Sequence, residues 1–277
     1  MNITNKISQR LKNIGPGSVI AAAFIGPGTV TMCSLAGAKF GYSLIWALLI
    51  SVLLTLFIQL TAVRIGMRTK KSLSNLIKNQ FDNKFLKYSS ILLVISAIFI
   101  GNTAYEAGNI SGAVMGFELI YGSNLQYSNI NIFSLLSGFI ALILIVNGNN
   151  RILEKILIIL VLVMSLSFVF TVFVVGIDFG SLFSFSGFFH LPPDSILIIA
   201  GLIGTTVVPY NIFLHVALVN GKWKNKRDLK NANFDTIISI LVGGFISLCI
   251  LLTSAELLVV SLAISFFVNV HDKTYEI

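Results

Sequence analysis

Seven long apolar runs divide the chain, at 17–38, 42–63, 88–118, 130–147, 152–176, 195–219 and 235–254. An eighth, 257–270, is short for crossing a bilayer of average thickness. Runs of about 20 apolar residues cross a bilayer as helices, because in lipid every backbone N–H and C=O must be satisfied within the segment. The pattern therefore predicts an all-α, polytopic membrane protein. Two runs are interrupted near their middles, span one by Gly26-Pro27-Gly28-Thr29 and span six by Val208-Pro209-Tyr210-Asn211. Proline lacks the backbone donor and clashes with the preceding turn, and glycine eases unwinding. A single such proline reads equally well as a kink. Two breaks five spans apart fit inverted-repeat transporters, whose discontinuous first and sixth helices hold the solute near the bilayer midplane.

Composition supports lipid as the solvent: 56% of the residues are hydrophobic, 11% are charged, and the mean hydropathy is +0.91. Soluble domains carry about 25% charged residues. The net charge of +8 would suggest nucleic acid on a soluble protein, but here the cations lie between the apolar runs. If all eight segments cross, eighteen of the nineteen Lys and Arg residues fall on one side and Lys39 alone on the other. Positive residues stay cytoplasmic, so a multi-pass protein of the cell's inner (plasma) membrane with a cytoplasmic N-terminus is expected. The run after Lys6, Arg10 and Lys12 is too long and Gly-rich for a cleaved signal. Cys33 and Cys249 both lie in apolar runs and read as buried free thiols.

Of the eleven acidic residues, only Glu106 sits well inside a long apolar run. A carboxylate at that depth costs several kcal/mol unless paired or hydrated. It is either an ion or proton site or a structural carboxylate bonded to its neighbours. His215, six residues after Pro209, is either a proton relay or a packing residue. Gly108, Ser111 and Gly112 read as small residues that let helices approach closely.

The segments Gly26-Pro27-Gly28-Thr29 and Gly204-Thr205-Thr206-Val207-Val208-Pro209-Tyr210-Asn211-Ile212-Phe213-Leu214-His215 resemble the NRAMP (natural resistance-associated macrophage protein) family of proton-coupled divalent metal transporters. Gly15-Pro16-Gly17 and Tyr42-Ser43-Leu44-Ile45-Trp46 add to the resemblance, which runs from about residue 13 to about 255. The family has Asp-Pro-Gly-Asn in its first helix and Met-Pro-His-Asn in its sixth. The resemblance implies that the family's metal-ligand positions are Gly26, Thr29, Val208 and Thr205 here, so the carboxylate and the thioether are both replaced. The family's histidine after the proline becomes Tyr210, and its Asp and Glu in the third helix become Glu106 and Asn109. No confident metal ligand remains. Mn²⁺ and Fe²⁺ exchange water most readily for carboxylate and thioether ligands, so the replaced positions depart from what ordinary family activity on them uses. A neutral unwound site suits a small anion such as bicarbonate, with hydrated Mg²⁺ as a further possibility.

The expected organisation is a basic cytoplasmic N-terminus at 1–14, a first five-helix repeat at 15–177, helices six and seven at 178–255, and a divergent segment at 256–277. This is an inverted-repeat transporter architecture with broken helices one and six and an incomplete second repeat. A truncation near residue 255 would give an inactive product; dimerisation would complete the core of a natural short homologue. Gly26, Thr29, Thr205 and Val208 are the expected substrate-binding residues. Glu106, Asn109, Tyr210 and His215 are expected to couple the ion or proton, and Pro27, Gly28, Pro209 and Asn211 to break the helices. The expected partners are a small inorganic ion, the lipid bilayer and a coupling ion (proton or sodium), with no cofactor and no nucleic acid. A channel would show charge rings or filter repeats, and an enzyme would show clustered ligating or nucleophilic side chains; neither is seen. A non-transporting scaffold is the remaining rival.

Overall fold

The computed structural model describes residues 15–122, 126–127, 130–146, 150–177, 180, 191–223, 225 and 228–274. The basic segment 1–14, Asp178 and Lys224, Lys226 and Arg227 of the expected loops lie outside them. Every expected span is helical. Span one is α1 (Pro16–Phe24) and α2 (Pro27–Phe40), and span two is α3 (Ile45–Thr69). A short α4 (Leu73–Lys78), started by the Ser72 side chain accepting from the Asn75 amide, leads to span three, α5 (Lys84–Tyr121). Spans four and five are α6 (Ile132–Val146) and α7 (Asn150–Val175). Span six is again two helices, α8 (Ile196–Thr206) and α9 (Pro209–Lys222). The antiparallel ribbon of β1 (Gln126–Tyr127) and β2 (Ile130–Asn131) joins α5 to α6.

The eighth segment, short for a span of its own, continues span seven: α10 runs unbroken from Leu229 to Thr274. Low hydropathy around Glu256 did not end the helix, because no proline or glycine lies between 245 and 274 to interrupt its hydrogen bonds. By length and composition, Ile45–Thr69, Lys84–Tyr121, the paired halves over Ile196–Lys222, and Leu229–Leu257 are long and apolar enough to cross a membrane.

The interior lies where α10 crosses α1, α2 and α3, with α8 and α9 packed beside them. Ile25, Cys33, Ala36, Leu48, Leu202 and Ile250 form part of one buried cluster. Val63, Met67, Val219, Trp223 and Ala232 form a second. Cys33 and Cys249 are buried free thiols, as expected. Gly37 allows the tightest crossing: a Cβ there would press on the Leu251 carbonyl oxygen and stand 2.9 Å from the Ala255 amide nitrogen. Helix α5 is different, since none of its residues is buried. Exposed Phe99 and Leu119 on such a helix suit hydrocarbon rather than water. Of the expected close-approach residues, Gly112 seats α5 on Pro27 (a Cβ would come 2.8 Å from Pro27 Cβ), whereas Gly108 has open space around it. Ser111 is exposed and donates to Ala107 O of its own helix.

Candidate functional site

The two breaks share one local geometry. Ile25 (φ −84°, ψ 69°) ends α1, and Val207 (φ −91°, ψ 72°) ends α8. Each is followed by an extended residue, Gly26 (φ −112°, ψ −178°) or Val208 (φ −91°, ψ 126°), and then by the proline that starts the next helix. The chemistry of proline explains the repetition. Pro27 and Pro209 have no N–H, so Ala23 O and Thr205 O lose the donor that a continuous helix would supply four residues on. The Tyr210 hydroxyl of α9 replaces the missing donor at Ala23 O, at 3.2 Å, and so ties one break to the other.

Helix α5 forms the third wall. A Cβ on Gly26 would stand 3.4 Å from the Tyr105 hydroxyl and 3.6 Å from Asn109 Oδ1. One on Gly28 would stand 3.7 Å from Thr205 Cγ2, 3.8 Å from Tyr105 Cε2 and 4.0 Å from Asn109 Oδ1. The two glycines therefore leave a small space between the breaks and α5. The rings of Tyr105 and Tyr210 meet edge to face, with centroids 6.0 Å apart. Thr29 is fully buried beside Tyr105. Thr205 turns its methyl towards Gly28 and donates its hydroxyl to Leu202 O at 3.2 Å. Val208 is buried in the link itself.

Asn109 gives this space its polarity. Its Nδ2 donates to Glu106 Oε2 at 3.2 Å, while its Oδ1 is buried without a partner. Because the carboxylate only accepts, the amide's oxygen end is left facing Gly26 and Gly28. Glu106 itself is exposed on α5 and reaches the break through Asn109. Among the described residues, no three of His, Cys, Asp and Glu gather into a metal-holding group. The oxygen donors at the break are neutral.

His215 stands apart from this cluster. It is fully buried one turn beyond Asn211, with Nδ1 2.9 Å from Gln59 Oε1 of α3 and Nε2 3.5 Å from Thr236 Oγ1 of α10. Thr236 in turn donates to Ala232 O at 2.8 Å. A second polar contact joins Ser51 of α3 to Thr206 at the end of α8. Asn211 is fully buried between these two contacts along the chain, and both of its side-chain polar atoms lack partners. A polar seam thus runs along α3 through Ser51, Thr55 and Gln59. These residues and Tyr105 were not singled out from the sequence. The signal was present: Ser51, Thr55 and Gln59 recur every four residues in an otherwise apolar helix, which puts them on one face.

The described fold and its sequence match known proteins. Residues 17–269 match the family model described as natural resistance-associated macrophage protein-like. The chain is 26% identical over 259 residues to a divalent metal cation transporter, MntH, of Caldanaerobacter subterraneus subsp. tengcongensis, covering 90% of this chain and 59% of the relative. An MntH of Yersinia pestis is 25% identical over 251 residues, covering 89% and 59%. Crystal structures of mutant forms of a manganese transporter of Eremococcus coleocola share the fold, with a TM-score of 0.65 and 20% identity over 90% of this chain and 52% of that one. The chain thus spans about three-fifths of the length of these curated relatives.

Proposed function

The chain belongs to the natural resistance-associated macrophage protein-like family, and from that premise we propose that it moves a small metal cation through the space between its two helix breaks. One observation carries the choice of charge: the unpartnered, buried Asn109 Oδ1 faces Gly26 and Gly28. An acceptor oxygen attracts a cation or a hydrogen-bond donor and repels bicarbonate. The Thr205 carbonyl, left without a helical donor by Pro209, is a second neutral oxygen at the second break. Neutral oxygens are hard ligands that suit hydrated Mg²⁺ as well as Mn²⁺. Without the carboxylate and thioether at Gly26 and Val208, the preference for transition metals is lost. Glu106 is the carboxylate tied to this space and is assigned the coupling to a proton or sodium. His215, held in its own seam, positions α9 between α3 and α10.

The basic residues orient the chain. With the eighth segment part of α10, Lys273 falls with Lys39 on the proposed outer side, and the remaining cations favour a cytoplasmic N-terminus. Alternating access follows from two half-helix pairs moving against α5.

Uptake into proteoliposomes tests this reading. Saturable uptake of Mg²⁺ and Mn²⁺ with less than about tenfold discrimination is expected, since a tenfold preference would need about 1.4 kcal/mol of selective binding. Bicarbonate uptake without metal uptake would establish the anion carrier instead. Absence of all three would leave a scaffold.

A further inference from the structure

A second feature of the molecule lies on the outside of α3, away from the breaks. Phe57, Thr61 and Ile65 of α3, Leu73 of α4, and Ile212 and Val216 of α9 line an open apolar groove of about 150 Å³. The Thr61 hydroxyl donates to Phe57 O of its own helix at 2.9 Å, so it offers the groove no free donor. Phe57 is 71% exposed on one rim, and Val216 is fully buried at the base. A groove in a membrane-spanning surface is filled by something apolar, because an empty one forfeits contacts on one side.

The charge beside the groove selects the occupant. The lining stripe of α3 runs 57, 61, 65, and the next residue on that face is Arg68. Arg64 follows Thr61 by three residues, and Lys71 lies two residues before Leu73. Arg64, Arg68 and Lys71 are all exposed, and among the described residues none of the three meets a carboxylate. A line of unpaired cations at the polar end of an apolar groove is the complement of a lipid with an anionic head. We infer that this groove is a binding site for an anionic phospholipid, with part of an acyl chain between α3 and α9 and the phosphate at Arg68 and Lys71. The site bridges two elements. The Asn220 amide of α9 donates to Lys71 O at 3.1 Å, and Ile212 and Val216 belong to the half-helix that begins at the second break. A bound lipid therefore holds α9 against α3, and its occupancy biases the motion of that half-helix. The inference does not depend on which ion the protein carries.

Native mass spectrometry of the full chain, released from detergent with phosphatidylglycerol or phosphatidylcholine added, tests the site. The unaltered protein is expected to retain phosphatidylglycerol at least about tenfold better than phosphatidylcholine, since each nearby cation contributes about fivefold. Arg68→Gln should reduce that preference by about fivefold, and Arg68→Gln with Lys71→Gln should nearly abolish it. Both side chains are exposed, so the fold is retained. Ile212→Trp, which fills the groove while leaving the cations in place, should lower retention of both lipids. Equal retention of the two lipids by the unaltered protein would overturn the inference. So would variants that behave like it, or displacement of phosphatidylglycerol by soluble glycerol phosphate.

Discussion

Gly37→Leu should be the most damaging single substitution in the described structure, with a loss of about 3 kcal/mol. The cause is the crossing of α2 and α10. A Cβ at position 37 meets the Leu251 carbonyl oxygen, the Ala255 amide nitrogen at 2.9 Å and Ser254 Cβ at 3.0 Å. Most of these neighbours are backbone, so no rotamer change relieves the contact. The helices would have to separate, which opens the cluster around Cys33, Ala36 and Ile250. Thermal unfolding in detergent checks this. Gly116→Ala is the control: it lies inside α5, towards its C-terminal end, with open space around it. Alanine there should be neutral or stabilising by up to about 1 kcal/mol. Equal stability of the two variants would show that α2 and α10 do not cross at Gly37.

The second large effect is expected at Asp235. Its Oδ1 accepts from the Gly15 amide at 2.8 Å and its Oδ2 from the Gly17 amide at 2.9 Å, so one carboxylate of α10 holds the start of α1. A helix N-terminus presents unpaired amides and a partial positive charge, and a carboxylate answers both. Gly17 makes the approach close, because a Cβ there would stand 2.8 Å from Asp235 O. Hydrogen bonds to a charged group contribute about 1.5–3 kcal/mol. Asp235→Ala should remove both bonds and release α1 as a unit, because the break at Ile25-Gly26 isolates it from α2. Hydrogen exchange followed by peptide mapping would show protection falling at least about tenfold over Pro16–Phe24, which corresponds to about 1.4 kcal/mol. Protection over Pro27–Phe40 should stay near its original level. Uniform loss through both helices would mean that α1 and α2 behave as one continuous rod.

Much of this architecture could be read from the chain because membrane helices obey few rules. Apolar length gave the spans, and the missing N–H of Pro27 and Pro209 located the breaks to within a residue or two. Other features depend on packing that no local pattern encodes. Asp235 reads as a charge at a loop edge, and its role is set by Gly15 and Gly17, more than two hundred residues away in sequence. Tyr105 is adjacent to Glu106, and the carboxylate drew attention for its cost in lipid. The structure instead places the tyrosine and Asn109 at the break and leaves Glu106 on the exposed side of α5. His215 read equally as a proton relay and as a packing residue. The helical turn that carries it past Asn211 delivers it to Gln59 and Thr236. The eighth segment read as short for a span because apolar length reports what a helix faces and not where its hydrogen bonding stops.

The claim on which the functional reading stands is that the two breaks lie side by side and hold an ion between them. The direct measurement is cross-linking of Gly28→Cys with Thr205→Cys, in a chain whose Cys33 and Cys249 are replaced by alanine. A Cβ on Gly28 lies 3.7 Å from Thr205 Cγ2, within the reach of a disulfide. Mild oxidation in proteoliposomes, followed by peptide mapping, should yield the linked pair, and millimolar Mg²⁺ or Mn²⁺ should slow its formation severalfold. Thiols that stay free under oxidation, or a linkage rate that neither cation changes, would contradict the account.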